Sequence, residues 1–304
     1  MKLGPERRRA LQEALELAGA ERREAKGAGE EWRYTLDGGV VTAWRTGTVA
    51  VAGKASARGR AEELVASFGG DVPAEPPASG YGSVPTDLPR DTPWAGVDES
   101  GKGDYFGPLV SAAVVVTPEG AAKLAAAGVR DSKKLTAKRV ATLAPLVKDT
   151  AAACVTHMAE PEVYNDLYAD YRATGRRLNQ LLADLHGHAL CNTLHAEPAY
   201  AIVDQFAADV RVVEEAAAWR CGGLRIVQFP RAESDVAVAA ASIVAREAFV
   251  NWMDEASERV GMTLPKGAGP HVVAAAKQLV AEQGADVLRD VAKLHFATTA
   301  QVLG

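Results

Sequence analysis

The chain has 304 residues, of which 48% are hydrophobic, 24% are charged and 6% are aromatic, and its formal net charge is −5. This length provides for one large hydrophobic core or two smaller ones, and the negative charge argues against a protein that binds nucleic acid by electrostatics alone. No run reaches the ~20 apolar residues that span a bilayer, and the three distant cysteines (Cys154, Cys191, Cys221) argue against a disulfide framework or a zinc site. We therefore expect a cytoplasmic protein with no membrane contact.

The first 70 residues predict a small α+β domain. Hydrophobic periodicity indicates a helix at Pro5–Ala18, strands near Glu31–Leu36, Val40–Arg45 and Thr48–Ala52, and a second helix near Ala57–Phe68. Glycine-containing turns separate the strands and favour an antiparallel sheet.

A proline-rich segment, Asp71–Pro93, follows and contains six of the 15 prolines of the chain. Proline lacks the amide hydrogen that helix interiors and central strands require, so this segment is predicted to be a linker. It divides the sequence into an N-terminal domain (1–70), a linker (71–93) and a C-terminal domain (94–304).

The C-terminal region predicts an α/β domain with a mixed sheet. Its predicted strands are Trp94–Val97, Pro108–Val116, Ala151–His157, Tyr200–Val203 and Leu224–Phe229, and its predicted helices are Ala137–Val147, Arg176–Leu194 and most of the chain after Val236. Strands followed by helices are typical of a sheet that helices cover.

The most informative motif is the eleven-residue string Asp98–Pro108, at the end of the first of these strands. Its adjacent carboxylates, Asp98 and Glu99, would point to opposite faces of a regular strand. Both can serve one site only where the strand ends or bends, and the Gly-Lys-Gly loop at 101–103 permits such a bend. The glycines also allow close approach of a phosphate or sugar, and the lysine supplies positive charge.

Other acidic residues lie at predicted element boundaries. Asp204 ends a short apolar strand, at the edge where α/β sheets place functional groups. Glu233 and Asp235 directly precede an alanine-rich helix, which Asp235 is suited to cap. Together with Asp98 and Glu99 these residues offer the hard oxygen ligands that Mg²⁺ and Mn²⁺ prefer. Two such ions about 4 Å apart can clamp both oxygens of a phosphodiester displacement.

These motifs resemble those of the type 2 ribonucleases H, and of ribonuclease HIII in particular. The resemblance covers residues 94–300 and rests on the segments Asp98–Pro108, Asp131–Thr136, Asp204, Ala239–Arg246 and Leu264–Gly269. The Gly-Lys-Gly loop is similar to that of ribonuclease HIII, whereas ribonuclease HII usually has Gly-Arg-Gly. Thr46–Lys54 resembles the small TATA-binding-protein-like domain with which ribonuclease HIII grips its substrate.

The resemblance implies an RNase H-like fold and a role for each matching residue. Metal ligands would be Asp98, Glu99, Asp204 and Glu233, with Asp235 as a rival for the fourth position. Substrate contacts would come from Ser100, Gly101, Lys102 and Gly103, which would meet the backbone and 2′-hydroxyls of RNA, and from Lys133 and Lys134 at phosphates.

The activity that the resemblance implies is hydrolysis of the RNA strand of an RNA–DNA hybrid by two Mg²⁺ or Mn²⁺ ions, leaving 5′-phosphate and 3′-hydroxyl ends. We expect a monomer without an obligate protein partner. Two alternatives stay open, namely incision at single ribonucleotides, as by ribonuclease HII, and a non-catalytic hybrid-binding protein. The Gly-Lys-Gly loop argues against the first alternative, and the complete set of carboxylates argues against the second.

Overall fold

A computed structural model describes residues 3–24, 29–53, 59–67, 88–130, 132, 135–204, 216, 221–229 and 231–304. The chain divides into two compact units, Met1–Gly80 and Tyr81–Gly304. Residues 71–87 of the predicted linker lie outside the described residues. Residues 88–93 belong to the second unit, where Leu88 is part of the core and the Tyr200 hydroxyl donates a 2.9 Å hydrogen bond to the carbonyl of Pro89.

The N-terminal unit is an α+β fold with a four-stranded antiparallel sheet. Its elements are α1 (Pro5–Leu17), β1 (Glu21–Arg23), β2 (Glu30–Leu36), β3 (Gly39–Trp44), β4 (Val49–Ala52) and α2 (Gly59–Ser67), and the strand order is β1-β2-β3-β4. Leu11 and Leu15 of α1 pack with Tyr34 and Val41 of the sheet. The predicted elements are confirmed, but the sequence prediction lacks β1, because its three residues are charged and exposed.

The second unit is built around a five-stranded mixed sheet. Its strands are β5 (Trp94–Ser100), β6 (Leu109–Val116), β7 (Ala153–Ala159), β8 (Tyr200–Asp204) and β9 (Arg225–Phe229), in the order β7-β6-β5-β8-β9. The first three strands pair with one another in antiparallel fashion, whereas β8 runs parallel to β5 and β9 runs parallel to β8. The predicted mixed sheet is confirmed, and β5, which carries Asp98 and Glu99, is its central strand.

Helices cover both faces of this sheet. They are α3 (Pro118–Ala126), α4 (Ala137–Thr150), α5 (Pro161–Ala173), α6 (Leu178–Cys191), α7 (Val236–Val260), α8 (Pro270–Gln283), α9 (Val287–Val291) and α10 (Ala297–Leu303). The sequence prediction lacks α3 and α5. Each begins with a proline in its first turn, a position that proline favours, so a helix-start signal was available.

Side chains of β5 alternate between two separate cores. Trp94 packs in the larger core with α7, whereas Ala95 and Val97 pack in a smaller core with α6. At Gly96 the backbone of α7 approaches so closely that a Cβ atom would lie 2.1 Å from the carbonyl carbon of Ala237. The missing side chain at Gly96 therefore lets α7 lie directly on the strand that carries the two carboxylates.

The helix α7 is long and apolar enough to cross a membrane by composition, but 67% of its apolar window is buried within the protein. Its alanine-rich first half, Ala237–Ala245, is buried against the sheet. Small side chains allow this close contact, so core packing explains the apolar character of α7.

One disulfide contradicts the sequence-based expectation. Cys191 at the end of α6 is bonded to Cys221, which precedes β9, and their Cα atoms are 5.1 Å apart, while Cys154 is a free thiol. The expectation was wrong because the two cysteines are 30 positions apart, and only the tertiary fold brings them together.

Candidate active site

The end of β5 opens into a cleft of about 520 Å³. Its lining residues are Asp98, Glu99, Ser100, Gly101, Lys102, Gly103, Asp104, Ser132, Asp204, Ser242, Arg246, Phe249 and Lys266. The fold thus brings together seven of the ten residues that the sequence assigns to metal or substrate, from the end of β5, its loop and the end of β8. Glu233 is not part of the cleft lining, and Lys133 and Lys134 lie outside the described residues.

Pairing between β5 and β8 explains why two of the acidic side chains are neighbours. The strands are parallel with Val97 opposite Val203, so Asp98 and Asp204 follow next to each other at the same edge of the sheet. The pairing between β5 and β8 stops at this point, although β5 continues along β6 to Ser100 and Asp204 still pairs with Phe229 of β9. This is the edge where α/β folds place functional groups.

Asp98 and Glu99 point to opposite faces of the sheet, as the strand geometry predicts. The Asp98 carboxylate accepts a hydrogen bond from Ser242, on α7. The Glu99 carboxylate lies on the other face, where its Oε2 is 3.3 Å from Nε2 of His186, on α6. They reach one cleft because β5 ends at Ser100.

The electrostatics of the cleft are dominated by crowded carboxylates. Burial raises the pKa of Asp98 well above its ordinary value, and the charge of Glu99 raises that pKa further. Hydrogen bonds from Ser242 and from the backbone amide of Glu99 lower the pKa in part, whereas Asp204 adds a smaller repulsion. A cation placed among such carboxylates would relieve the repulsion between their charges.

The Gly-Lys-Gly loop is held in a fixed shape by the chain around it. Gly101 has a φ of +88°, and a Cβ atom there would lie 2.1 Å from the carbonyl oxygen of Pro108, so only glycine fits. Further along, Asp104 Oδ1 accepts a 2.6 Å hydrogen bond from the backbone amide of Gly267. Gly103 differs from Gly101, since no atom lies within 4 Å of the place its Cβ would take.

A buried lysine fixes the far end of the same loop. Lys293 has 1% of its surface exposed, and its ammonium group donates to the carbonyl oxygen of Gly107. Desolvation lowers the pKa of Lys293 to about 7, although Asp104 opposes this shift. The loop that borders the cleft is therefore tied to the segment between α9 and α10.

The rival carboxylate Asp235 is fully engaged by the fold. It caps α7 by accepting a 2.8 Å hydrogen bond from the amide of Ala237. It also accepts hydrogen bonds from Arg90 (2.7 Å) and from the indole of Trp94 (3.0 Å). Its side chain is 2% exposed, so Asp235 links the start of α7 to the start of β5.

Glu233 has different surroundings. It lies in a one-turn 3-10 helix, Ala232–Ser234, and is half-buried. The backbone amide of Ala232 donates a 2.9 Å hydrogen bond to Asp204 Oδ1. Glu233 is the next residue in the chain after Ala232. Glu233 is thus adjacent to the acidic edge without lining the cleft.

Three cleft residues that the sequence analysis did not assign lie on one face of α7. Ser242, Arg246 and Phe249 are spaced at i, i+4 and i+7, which is the helical spacing of a single face. Arg246 donates to the backbone carbonyl of Ser132 and, over 3.3 Å, to that of Leu135. Arg246 therefore ties α7 to the chain at these two positions. The spacing on α7 was the signal that could have found this face.

The residues of the cleft fit a hard cation by their donor chemistry. Asp98, Glu99 and Asp204 provide carboxylate oxygens at one edge, and oxygen ligands are those that Mg²⁺ and Mn²⁺ prefer. Among the described residues, no three Asp, Glu, His or Cys side chains are grouped closely enough to hold a metal ion as they stand. Binding an ion would therefore require these carboxylates to converge.

A mixed five-stranded sheet covered by helices, with carboxylates at the ends of two parallel neighbouring strands, defines a nuclease fold of the ribonuclease H type. The sequence model of the family described as Ribonuclease HII matches residues 95–299. The chain belongs to this family, on its ribonuclease HIII branch, and is a ribonuclease H endonuclease.

Individual relatives support this assignment along most of the chain. Ribonuclease HIII of Geobacillus kaustophilus is 39% identical over 277 residues, which cover 87% of this chain and 85% of that protein. Ribonuclease HIII of Chlamydia pneumoniae is 41% identical over 210 residues, or 68% of each chain. The crystal structure of Bst-RNase HIII in complex with Mn²⁺ matches with a TM-score of 0.63 and 31% identity, covering 100% of this chain and 97% of that chain.

Proposed function

We propose that the protein hydrolyses the RNA strand of RNA–DNA hybrids with two Mg²⁺ or Mn²⁺ ions held by Asp98, Glu99, Asp204 and Glu233. The observation that carries the proposal is the meeting of Asp98, Glu99 and Asp204 at one edge of the sheet, beside a basic glycine loop. The Mn²⁺ complex of the similar Bst-RNase HIII supports the choice of metal. We further propose a monomer in the cytoplasm.

Each part of the cleft has a distinct task in this proposal. Two divalent ions bound there would activate water and offset negative charge on the phosphodiester. The Gly-Lys-Gly loop would lie against the RNA strand, where the Lys102 ammonium, 3.7 Å from Glu99 Oε1, would offset phosphate charge. Attack of water at phosphorus breaks the bond to O3′, which leaves a 3′-hydroxyl and a 5′-phosphate. Ser100, Lys133 and Lys134 would add contacts to the substrate.

The decisive experiment uses three labelled duplexes of one sequence, each with Mg²⁺ and with Mn²⁺. They are RNA paired with DNA, DNA containing one ribonucleotide paired with DNA, and all-DNA. We expect cleavage of the first alone, with product ends that a kinase and a phosphatase identify. Equal cleavage of the second would favour ribonuclease HII-like incision. Binding of the hybrid without cleavage under either metal would favour the non-catalytic alternative.

Gly103 provides a test of the substrate-binding loop. Because its φ is outside the left-handed region and its surroundings are open, Gly103→Ala is expected to leave the melting temperature unchanged. The added methyl group would obstruct the RNA strand, and we expect KM for the hybrid to rise about tenfold, which corresponds to about 1.4 kcal/mol. An unchanged KM would show that the strand does not pass Gly103. Steady-state kinetics and a thermal melt measure the two quantities.

The fourth carboxylate is tested by comparing Glu233→Gln with Asp235→Asn. Loss of the buried Asp235 charge removes the partner of Arg90 and weakens the cap of α7, so stability should fall by about 1–2 kcal/mol or more. Glu233→Gln should leave the free energy of unfolding unchanged. It should lower the rate of cleavage, and it should also reduce the rise in melting temperature that Mn²⁺ causes. The reverse pattern, with stable but inactive Asp235→Asn and active Glu233→Gln, would assign the ligand to Asp235. Chemical denaturation and Mn²⁺-dependent melting distinguish the two cases.

A further inference from the structure

A hydrogen-bonded row of three polar side chains, two of them buried, runs from the cleft into the α6 face of the sheet. Glu99 Oε2 is 3.3 Å from His186 Nε2, and His186 Nδ1 is 2.6 Å from the hydroxyl oxygen of Ser111. Ser111 is the direct partner of Glu99 in the antiparallel pairing of β5 and β6, so both side chains point to the same face. The helix α6 places His186 between them.

The direction of these hydrogen bonds follows from chemistry. An ionised carboxylate only accepts hydrogen bonds, so Nε2 of His186 must carry the hydrogen that Glu99 receives. In the neutral imidazole, Nδ1 then accepts from the Ser111 hydroxyl. The carboxylate of Glu99 therefore sets the tautomer of His186, and the Ser111 hydroxyl, which can donate or accept, completes it by donating to Nδ1 and orients the ring.

The same three residue types form nucleophilic triads in hydrolases, but burial excludes that role here. Ser111 is 0% exposed and His186 is 2% exposed, so the hydroxyl cannot meet a substrate. Polar groups this deeply buried are retained in folds when they are hydrogen-bonded. Ser111 and His186 can therefore affect the cleft only through Glu99, whose carboxylate borders it.

Glu99 has a particular need for such support. Asp98 is hydrogen-bonded to Ser242 on α7 and Asp204 is hydrogen-bonded to Ala232, both on the opposite face. Glutamate has one more rotatable bond than aspartate, and its charge is repelled by the adjacent Asp98. A donor at Oε2 restricts the rotamer and leaves Oε1 directed toward the cleft, where Lys102 Nζ lies 3.7 Å away.

We propose that His186, oriented by Ser111, is a positioning residue that holds the Glu99 carboxylate in the geometry for cation binding. This inference rests on the proposed function, in which Glu99 is a metal ligand. Hydrogen-bond partners of metal ligands commonly change metal affinity or activity by about 10–100-fold when they are replaced. His186 would act through Glu99 and would not touch the substrate.

The test measures Mn²⁺ binding directly, by electron paramagnetic resonance of the free ion, in protein without nucleic acid. The variants are His186→Leu, which removes the donor but fills the volume, and His186→Gln, whose amide nitrogen can donate near the position of Nε2. Ser111→Ala removes only the outer hydrogen bond. His188→Leu is the matched control, since His188 lies on the same helix and stacks on His157, with ring centroids 5.1 Å apart.

We expect the Mn²⁺ dissociation constant to rise roughly 10–100-fold in His186→Leu, with a smaller rise in Ser111→Ala. His186→Gln should recover most of the affinity, and His188→Leu should bind as the wild type does. Cleavage of a hybrid should show a lower kcat at fixed Mn²⁺ with an unchanged KM for the duplex. If His186→Leu does not fold, Ser111→Ala decides: a Mn²⁺ dissociation constant above that of His188→Leu supports the inference, and an equal one overturns it.

Unchanged Mn²⁺ affinity in both His186→Leu and Ser111→Ala, with only a lower melting temperature, would overturn the inference and make the row a packing feature of the core. Glu99→Gln separates this outcome from a failure of the proposed function. If Glu99→Gln also binds Mn²⁺ as the wild type does, then Glu99 is not a ligand and the assignment on which the inference rests is wrong. If Glu99→Gln loses Mn²⁺ and the His186 variants do not, only the positioning role fails.

Discussion

Asp98→Asn is expected to reduce cleavage of an RNA–DNA hybrid by about 10²–10³-fold or more, because the variant loses a charge that would hold the ions stabilising the transition state. The amide retains nearly the same shape and can still accept a hydrogen bond from Ser242. We therefore expect hybrid binding, measured by fluorescence anisotropy, to persist. Cleavage within about tenfold of wild type would remove Asp98 from the catalytic set.

Asp98→Asn is also expected to change the free energy of unfolding, and the raised pKa of Asp98 gives the direction of that change. Burial and the charge of Glu99 raise the pKa of Asp98 in the folded protein above its ordinary value. Without metal, the unfolding free energy should thus decrease as the pH rises from the unfolded-state pKa through the folded-state value. The asparagine side chain of the variant cannot ionise, so Asp98→Asn should be at least as stable as wild type at neutral pH without metal.

Metal provides the matching control for this prediction. An ion that binds only the folded state raises the melting temperature by mass action. Mn²⁺ should therefore stabilise the wild-type protein and give little stabilisation to Asp98→Asn. Equal stabilisation of both proteins by Mn²⁺ would mean that the ion binds elsewhere. Differential scanning calorimetry at several pH values measures both effects.

Gly96→Ala is expected to destabilise the C-terminal unit by about 3 kcal/mol or more, at the upper end of the usual cost of overpacking a core. The new Cβ would lie 2.1 Å from backbone atoms of Ala237 and Val238, and backbone within a helix cannot rotate away. For a domain of this size, that loss corresponds to roughly 6–12 °C in melting temperature.

Gly103→Ala is the control for Gly96→Ala, since the same methyl group is added where nothing lies within 4 Å. Activity is expected to fall in Gly96→Ala even below its melting temperature, because α7 carries Ser242 and Arg246 and must move away from β5. A Gly96→Ala protein with the stability of Gly103→Ala would contradict the close packing of α7 on β5. Thermal unfolding by circular dichroism makes the comparison.

The ambiguity between Glu233 and Asp235 shows what local sequence cannot decide. Both residues precede α7 and both are acidic, so the local sequence does not say which one caps the helix and which one binds metal. The fold gives the two residues different surroundings, because Arg90 and Trp94, which lie 145 and 141 residues earlier, donate hydrogen bonds to Asp235. No periodicity along the chain encodes that meeting.

The sequence by itself determined the α/β class, the mixed sheet, the end of β8 at Asp204 and the glycine loop after β5, since these depend on alternation, chain-breaking residues and short-range motifs. Only the tertiary structure decided that Asp98 and Asp204 are neighbours, that His186 and Ser111 stand behind Glu99, and that Cys191 is bonded to Cys221. Those contacts join residues far apart in the chain. They depend on strand order and helix packing, which hydrophobic patterns restrict but do not specify.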